Sequence, residues 1–162
     1  MIKSILGRIS LLVLGVSPLA ACAHDSAPSE GMMMTTTIEI ENSGATNLIG
    51  WRIQVGQYGA ASWESGDGSG HAMLPAAIGA KLEQDLARAK PLANLPSGGC
   101  AKSASFGTST FVAVGGDKSP DLSCPGSDAG RALAGDIATI ASYLSVRNVT
   151  RSRGHELPPE NF

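Results

Sequence analysis

The chain has 162 residues, of which 43% are hydrophobic, 16% charged and 4% aromatic. That length suits one compact domain, and the apolar fraction is enough to build a core, which argues against a chain disordered throughout. A formal charge of −2, with 20 Gly and 9 Pro, excludes a basic field for nucleic-acid phosphates and argues against a coiled coil or helical bundle.

Residues 1–21 read as a secretory signal. Lys3 and Arg8 supply the positive start, and Ile9 to Val16 the apolar stretch. That run is well short of the ~20 residues a transmembrane helix needs. Removing it takes both cations away and leaves the remainder two charges more acidic. The junction Leu19-Ala20-Ala21-Cys22 resembles the lipobox of bacterial lipoproteins. The resemblance covers only the start of the chain. It implies that a diacylglycerol is joined to the Cys22 thiol, that the signal is cut before Cys22, and that the new amine is acylated. The alternative is an ordinary secretory signal cut near Ala21 or Ala23. Ala23, where an aspartate would favour the inner membrane in lipoproteins of the enteric type, implies an outer-membrane address facing the periplasm. With Cys22 assigned to lipid, Cys100 and Cys124 remain as one disulfide pair, formed in an oxidising compartment. Catalytic thiol chemistry is the weaker reading, since there is no Cys-x-x-Cys.

Residues 22–34 read as the lipidated cysteine and a flexible tether. Its Met32-Met33-Met34 run and His24 fall short of a soft-metal site, because nothing else gathers around them. Residues 35–149 read as the folded domain. Ile38 and Ile40 alternate with Thr37, Glu39 and Glu41, the pattern of a half-buried strand over 35–41. Trp51, Ile53 and Val55 give a second strand, residues 56–59 a turn, and Ala60 to Glu64 a third strand. Residues 65–70 read as a mobile loop, with a short strand at His71 to Leu74.

Pro75 to Lys90 reads as a helix, opened by Pro75 at its first position and stopped by Pro91. Leu74, Ile78, Leu82 and Leu86 form its apolar stripe; Lys81, Glu83, Asp85 and Arg88 are placed at wetter positions, with Lys81 and Asp85 as a weak surface pair. Residues 104–114 have strand composition, 115–118 a hairpin turn, and Pro120 to Cys124 a returning edge strand. A second helix, capped by Ser127 or Asp128, carries Leu133, Ile137, Ile140 and Leu144 on one face and ends near Val146. Residues 150–162 read as a polar tail. The whole predicts an α+β domain, β-β-β-α-β-β-α, with a mostly antiparallel sheet, both helices on one face, and one disulfide.

No complete catalytic set is present. His71 with Asp67 and Ser105 lacks a Gly-x-Ser-x-Gly elbow, and Ser97 and Lys102 are spaced wrongly for Ser-x-x-Lys. Glu64, Asp67, Ser69 and His71 have too few carboxylates for a calcium loop. Glu39 and Glu41 read as the solvated face of a strand. No dinucleotide or phosphate-loop fingerprint occurs, so no cofactor is expected. The candidate binding surface is Tyr58, Trp63, Lys102, Ser103 and Ser105: two aromatics beside one hairpin, and a hydroxyl-rich stretch next to Cys100. The expectation is a lipid-anchored periplasmic binding module without catalysis. Its partners would be the membrane, through lipid on Cys22, and an envelope protein or peptidoglycan. A small hydrolase or metal-dependent enzyme centred on residues 64–71 and a structural envelope spacer are the alternatives.

Overall fold

A computed structural model describes residues 36–151. The signal, Cys22 with its tether, and most of the polar tail lie outside the described residues. Strand β1 (Ile38–Asn42) is central because its alternation suits a sheet buried on one side: Ile38, Ile40 and Asn42 point inward, and Glu39 is exposed. It pairs antiparallel with β3 (Trp51–Val55) on one side, Ile40 opposite Ile53. On the other it pairs with β6 (Thr110–Val114), Ile40 opposite Val112. β4 (Ala60–Ser65), β5 (Gly68–Met73) and the two-residue β7 (Asp117–Lys118) complete a six-stranded sheet in the order β5-β4-β3-β1-β6-β7. A small second sheet joins β2 (Leu48–Ile49) to β8 (Val149–Thr150).

The inward face carries Ile38, Ile40, Trp51, Ile53, Val55, Ala61 and Val112, and the two helices cover it. Helix α1 (Ala76–Ala89) contributes Leu82, Leu86 and Ala89; α2 (Asp128–Tyr143) contributes Leu133, Ile137, Ile140 and Ala141. The helices also pack on each other. Ser127 caps α2 by accepting from the Gly130 N–H at 3.1 Å. Asn42, the buried polar end of β1, is fully occupied. Its amide donates to Thr108 and Thr110 Oγ1, and its oxygen accepts from the Gly44 N–H and the Asn148 amide.

The α+β architecture, the antiparallel sheet and the Cys100–Cys124 disulfide match the expectation; the bridged Cα atoms are 5.9 Å apart. Residues 96–98 run beside 124–126, with Gly98 N–H donating to Cys124 O and Gly126 N–H to Pro96 O.

Several boundaries differ. The loop expected at 65–70 is a tight turn at Gly66 and Asp67, closed by Ser65 opposite Gly68, and β5 begins at once. Glycine weakens strand propensity, but Gly70 is needed here because a Cβ would meet Trp63 Cζ2 at 2.5 Å. The strand expected over 104–114 begins only at Thr110, since Lys102, Ser103 and Gly107 bond within the preceding loop. The return strand expected at Pro120 to Cys124 is replaced by β7. Pro120 has no N–H, and the Asp121 carboxylate takes the Thr110 N–H that a neighbouring strand would have used. Pro75 caps α1 from outside it, and α2 ends at Tyr143, closed by Ser145 at φ 56°.

Candidate functional site

The turn between β3 and β4 is built to display one side chain. Gly56 N–H donates to Ala60 O at 2.8 Å, closing a single 3₁₀ turn over Gln57–Gly59. Closure forces Tyr58 to φ 58°, ψ 18°, and Gly59 to φ 81°. The left-handed region is costly for a residue with a Cβ, by about 1–2 kcal/mol, and glycine or asparagine is the ordinary occupant. Tyr58 nevertheless sits there with 88% of its surface exposed. Gly59 O accepts from Leu74 N–H at 2.8 Å, which ties the turn to the start of α1. Between them runs a groove of about 530 Å³, lined by Tyr58, Leu74, Pro75, Ala76, Gly79 and Glu83. Its floor is open at Gly79, where an added Cβ would meet nothing within 4 Å. An exposed phenol on the rim of a mostly apolar groove is the arrangement by which aromatic anchors contribute to binding.

The other candidate binding residues do not join Tyr58. Trp63 faces inward opposite Ile53, is partly buried against the core and lies across Gly70. Lys102, Ser103 and Ser105 lie at the opposite end of β3, in a loop stitched to residues 46–47: Asn47 N–H donates to Ser105 O and Thr46 Oγ1 to Ala104 O. Lys102 is held by Asp121 and donates to Thr108 O at 2.7 Å, Ser123 Oγ at 2.9 Å and Ser109 Oγ at 3.0 Å. Ser103 Oγ accepts from the Ser105 N–H. Lys102 and Ser103 are exposed, but their polar atoms are engaged in holding the loop together. Burial opposes ionisation of Asp121, but the Lys102 ammonium and hydrogen bonds from Ser123 and Ser109 outweigh it. They hold the carboxyl well below the usual carboxylate range.

The residues of the predicted 64–71 loop divide between two places. Glu64, Ser69 and His71 share the uncovered sheet face with Arg52, Gln54 and Ser62, around a depression of about 350 Å³. Asp67 instead bonds Arg147 at 3.2 Å. Among the described residues, no group of three or more His, Cys, Asp and Glu side chains is placed to hold a metal ion. Glu41 on the same face lies 3.8 Å from Arg52 and 3.5 Å from Lys118, whose ammonium sits 4.5 Å from the Phe111 ring centre.

One cluster was not expected. Asp85, placed at a wet position by its charge, is 5% exposed and faces Asp136, 4% exposed, across the helix contact. Lys81 donates to Asp85 Oδ2 at 2.7 Å and to Asp136 Oδ1 at 2.5 Å, and Arg88 reaches Asp85 Oδ1 at 3.1 Å. The bond from Lys81 holds Asp85 below the usual carboxylate range, while burial pushes Asp136 up. Asp136 Oδ2 is buried without a hydrogen-bond partner among the described residues. Of the two carboxyls, Asp85 is therefore the more readily ionised and Asp136 the less. Each aspartate lies three residues after a buried leucine, Leu82 and Leu133, and helical spacing puts it on the same face.

Among the described residues, no helix is long and apolar enough to cross a membrane. No protein-family model matches the chain, and no curated protein and no solved structure matches it.

Proposed function

We propose that the chain is a lipid-anchored protein of the bacterial cell envelope whose domain is a non-catalytic binding module, with Tyr58 as its anchor. The observation that carries the binding reading is Tyr58 itself: an exposed aromatic at a left-handed turn position where glycine or asparagine would serve the fold at less cost. Lipid on Cys22, following the lipobox-like junction, is the proposed attachment, and the outer membrane facing the periplasm the proposed address. The disulfide agrees with an oxidising compartment. The partner is an envelope protein or peptidoglycan, seated on the phenol and the apolar groove beside it.

Two measurements test this reading. The mass of the amino-terminal peptide from the chain made in a Gram-negative host should carry a diacylglyceryl group, and Cys22→Ser should move the protein from the membrane to the soluble fraction. A membrane-bound Cys22→Ser chain would overturn the anchor. For the site, Tyr58→Asn keeps a residue that tolerates the left-handed turn while removing the phenol. Envelope components captured by the wild-type chain should be lost by this variant and by Gly79→Gln, which fills the groove floor. Capture unchanged in both would overturn the site.

A further inference from the structure

The two edges of the sheet are treated differently. At one end β7 is two residues long, is followed within two positions by Pro120, and has the turn Leu92–Asn94 set against it through bonds from the Leu92 and Ala93 N–H groups to the Asp117 carboxylate. Those are the ordinary ways of blunting an edge. At the other end β5 is six residues long and contains no proline, no Lys, Arg, Asp or Glu, and no bulge in its register with β4.

Its backbone phase is set by two bonds. Leu74 N–H donates inward to Gly59 O, so the even-numbered residues face β4; Met73 O accepts from Tyr143 Oη at 3.2 Å, so the odd-numbered ones face out. Ser69 and His71 therefore present their N–H and C=O groups at the edge, and among the described residues nothing pairs with them.

We propose that β5 pairs antiparallel with β5 of a second copy of this chain, on a two-fold axis at Gly70. That register sets Ser69 opposite the partner's His71, and His71 opposite the partner's Ser69. Four backbone hydrogen bonds form, using the free groups of both residues and sparing the Met73 carbonyl already held by Tyr143. Centring the axis on His71 would instead place Ser69 against Met73, where that carbonyl is taken. At the axis the two Gly70 residues face each other without side chains. On the inner face the partly exposed indole of Trp63 already lies over Gly70, so pairing brings the two indoles together and covers them. No charged side chain opposes a like charge along the strand. Because the β7 edge is closed, the assembly stops at two chains and makes one twelve-stranded sheet, not a filament. The proposal does not depend on the lipid anchor or on Tyr58.

The test is sedimentation equilibrium of the full chain in detergent, with residue-resolved hydrogen exchange. The expected result is a two-chain species in which the amides of Ser69 and His71 are as protected as that of Gly70. His71→Pro removes the outward N–H alone, and Ser69→Lys adds edge charge without touching the β4 ladder. Each should give single chains and return the two outward amides to rapid exchange. If His71→Pro fails to fold, Ser69→Lys carries the test. A single-chain wild type up to ~1 mM, the weakest association of interest, would overturn the proposal, whatever the amide protection. So would a two-chain species that survives Ser69→Lys.

Discussion

Removing the Asp121 carboxylate should loosen one end of the domain by a predictable amount. Its two oxygens accept from Thr110 N–H at 3.0 Å, Ser123 N–H at 2.9 Å and Ser109 Oγ at 2.8 Å, and from the Lys102 ammonium. One group thus ties the loop before β6, the start of β6 and the segment leading to Cys124. A hydrogen bond to an ionised group contributes ~1.5–3 kcal/mol net. Adding several would overstate the effect, because about a quarter of the side chain is exposed and water replaces part of what is lost. In Asp121→Ala, Lys102 also keeps Thr108 O and the Ser109 and Ser123 hydroxyls. The expected loss is about 2–3 kcal/mol, or roughly 10 °C in Tm for a domain of this size. The pH dependence gives a second readout. The folded-state pKa is depressed from 3.8, so the stabilisation is complete above that value and is lost as pH falls toward the lower one. Urea unfolding of wild type and variant should therefore show the full gap near neutral pH and a narrower one near pH ~2. A gap that is absent at neutral pH, or that stays constant on acidification, would refute the reasoning.

Other outcomes follow from the packing. Asp136→Asn removes a carboxyl whose ionisation burial opposes and keeps an oxygen for Lys81, so stability near neutral pH should hold or rise. The raised pKa of Asp136 means its contribution is present at low pH and lost as pH rises through the folded value, so the variant's stability curve should lose that fall; an unchanged curve counts against the effect of burial on Asp136. Gly70→Ala pushes a methyl into Trp63 and should shift tryptophan emission and cost about 1–3 kcal/mol; unaltered emission would contradict the placement of the indole. Replacing Cys100 and Cys124 by Ser opens a loop of 24 residues' separation and should cost about 3.5 kcal/mol by loop entropy, read from urea midpoints.

The elements that sequence made legible are those in which one period runs uninterrupted. Ile38 and Ile40 in β1, Trp51, Ile53 and Val55 in β3, and Leu133, Ile137 and Ile140 along α2 with Leu144 at its C-cap are all buried where their spacing puts them. What escaped was decided by side chains bonding backbone. The Asp121 and Lys102 cage ends strand structure before β6 and after β7, and no periodicity announces it. Gly68-Ser-Gly70 reads as loop by composition, yet pairs fully with β4 because the indole of Trp63 occupies the side-chain space that Gly70 leaves. Asp85 misled through its charge. The pattern Leu82-x-x-Asp85-Leu86, repeated as Leu133-x-x-Asp136-Ile137, was the available signal, since helical spacing places both acids among buried residues. Tyr58 is legible as an aromatic in a glycine-flanked turn, whereas its left-handed backbone is set by the closure of that turn, which composition does not reveal.

The binding reading makes a paired demand on one residue. Tyr58→Asn should raise stability by up to ~1 kcal/mol, by relieving the left-handed strain. The same change should weaken affinity for the captured envelope component at least ~10-fold, the loss of a modest aromatic anchor. Trp63→Phe, which keeps an aromatic ring in the core-facing position, should bind as the wild type does. The decisive measurement is the Kd of that component for these three chains, alongside their Tm values. A variant that is more stable and binds poorly is the predicted result. Wild-type affinity in Tyr58→Asn, with binding lost only in Trp63→Phe, would contradict the account.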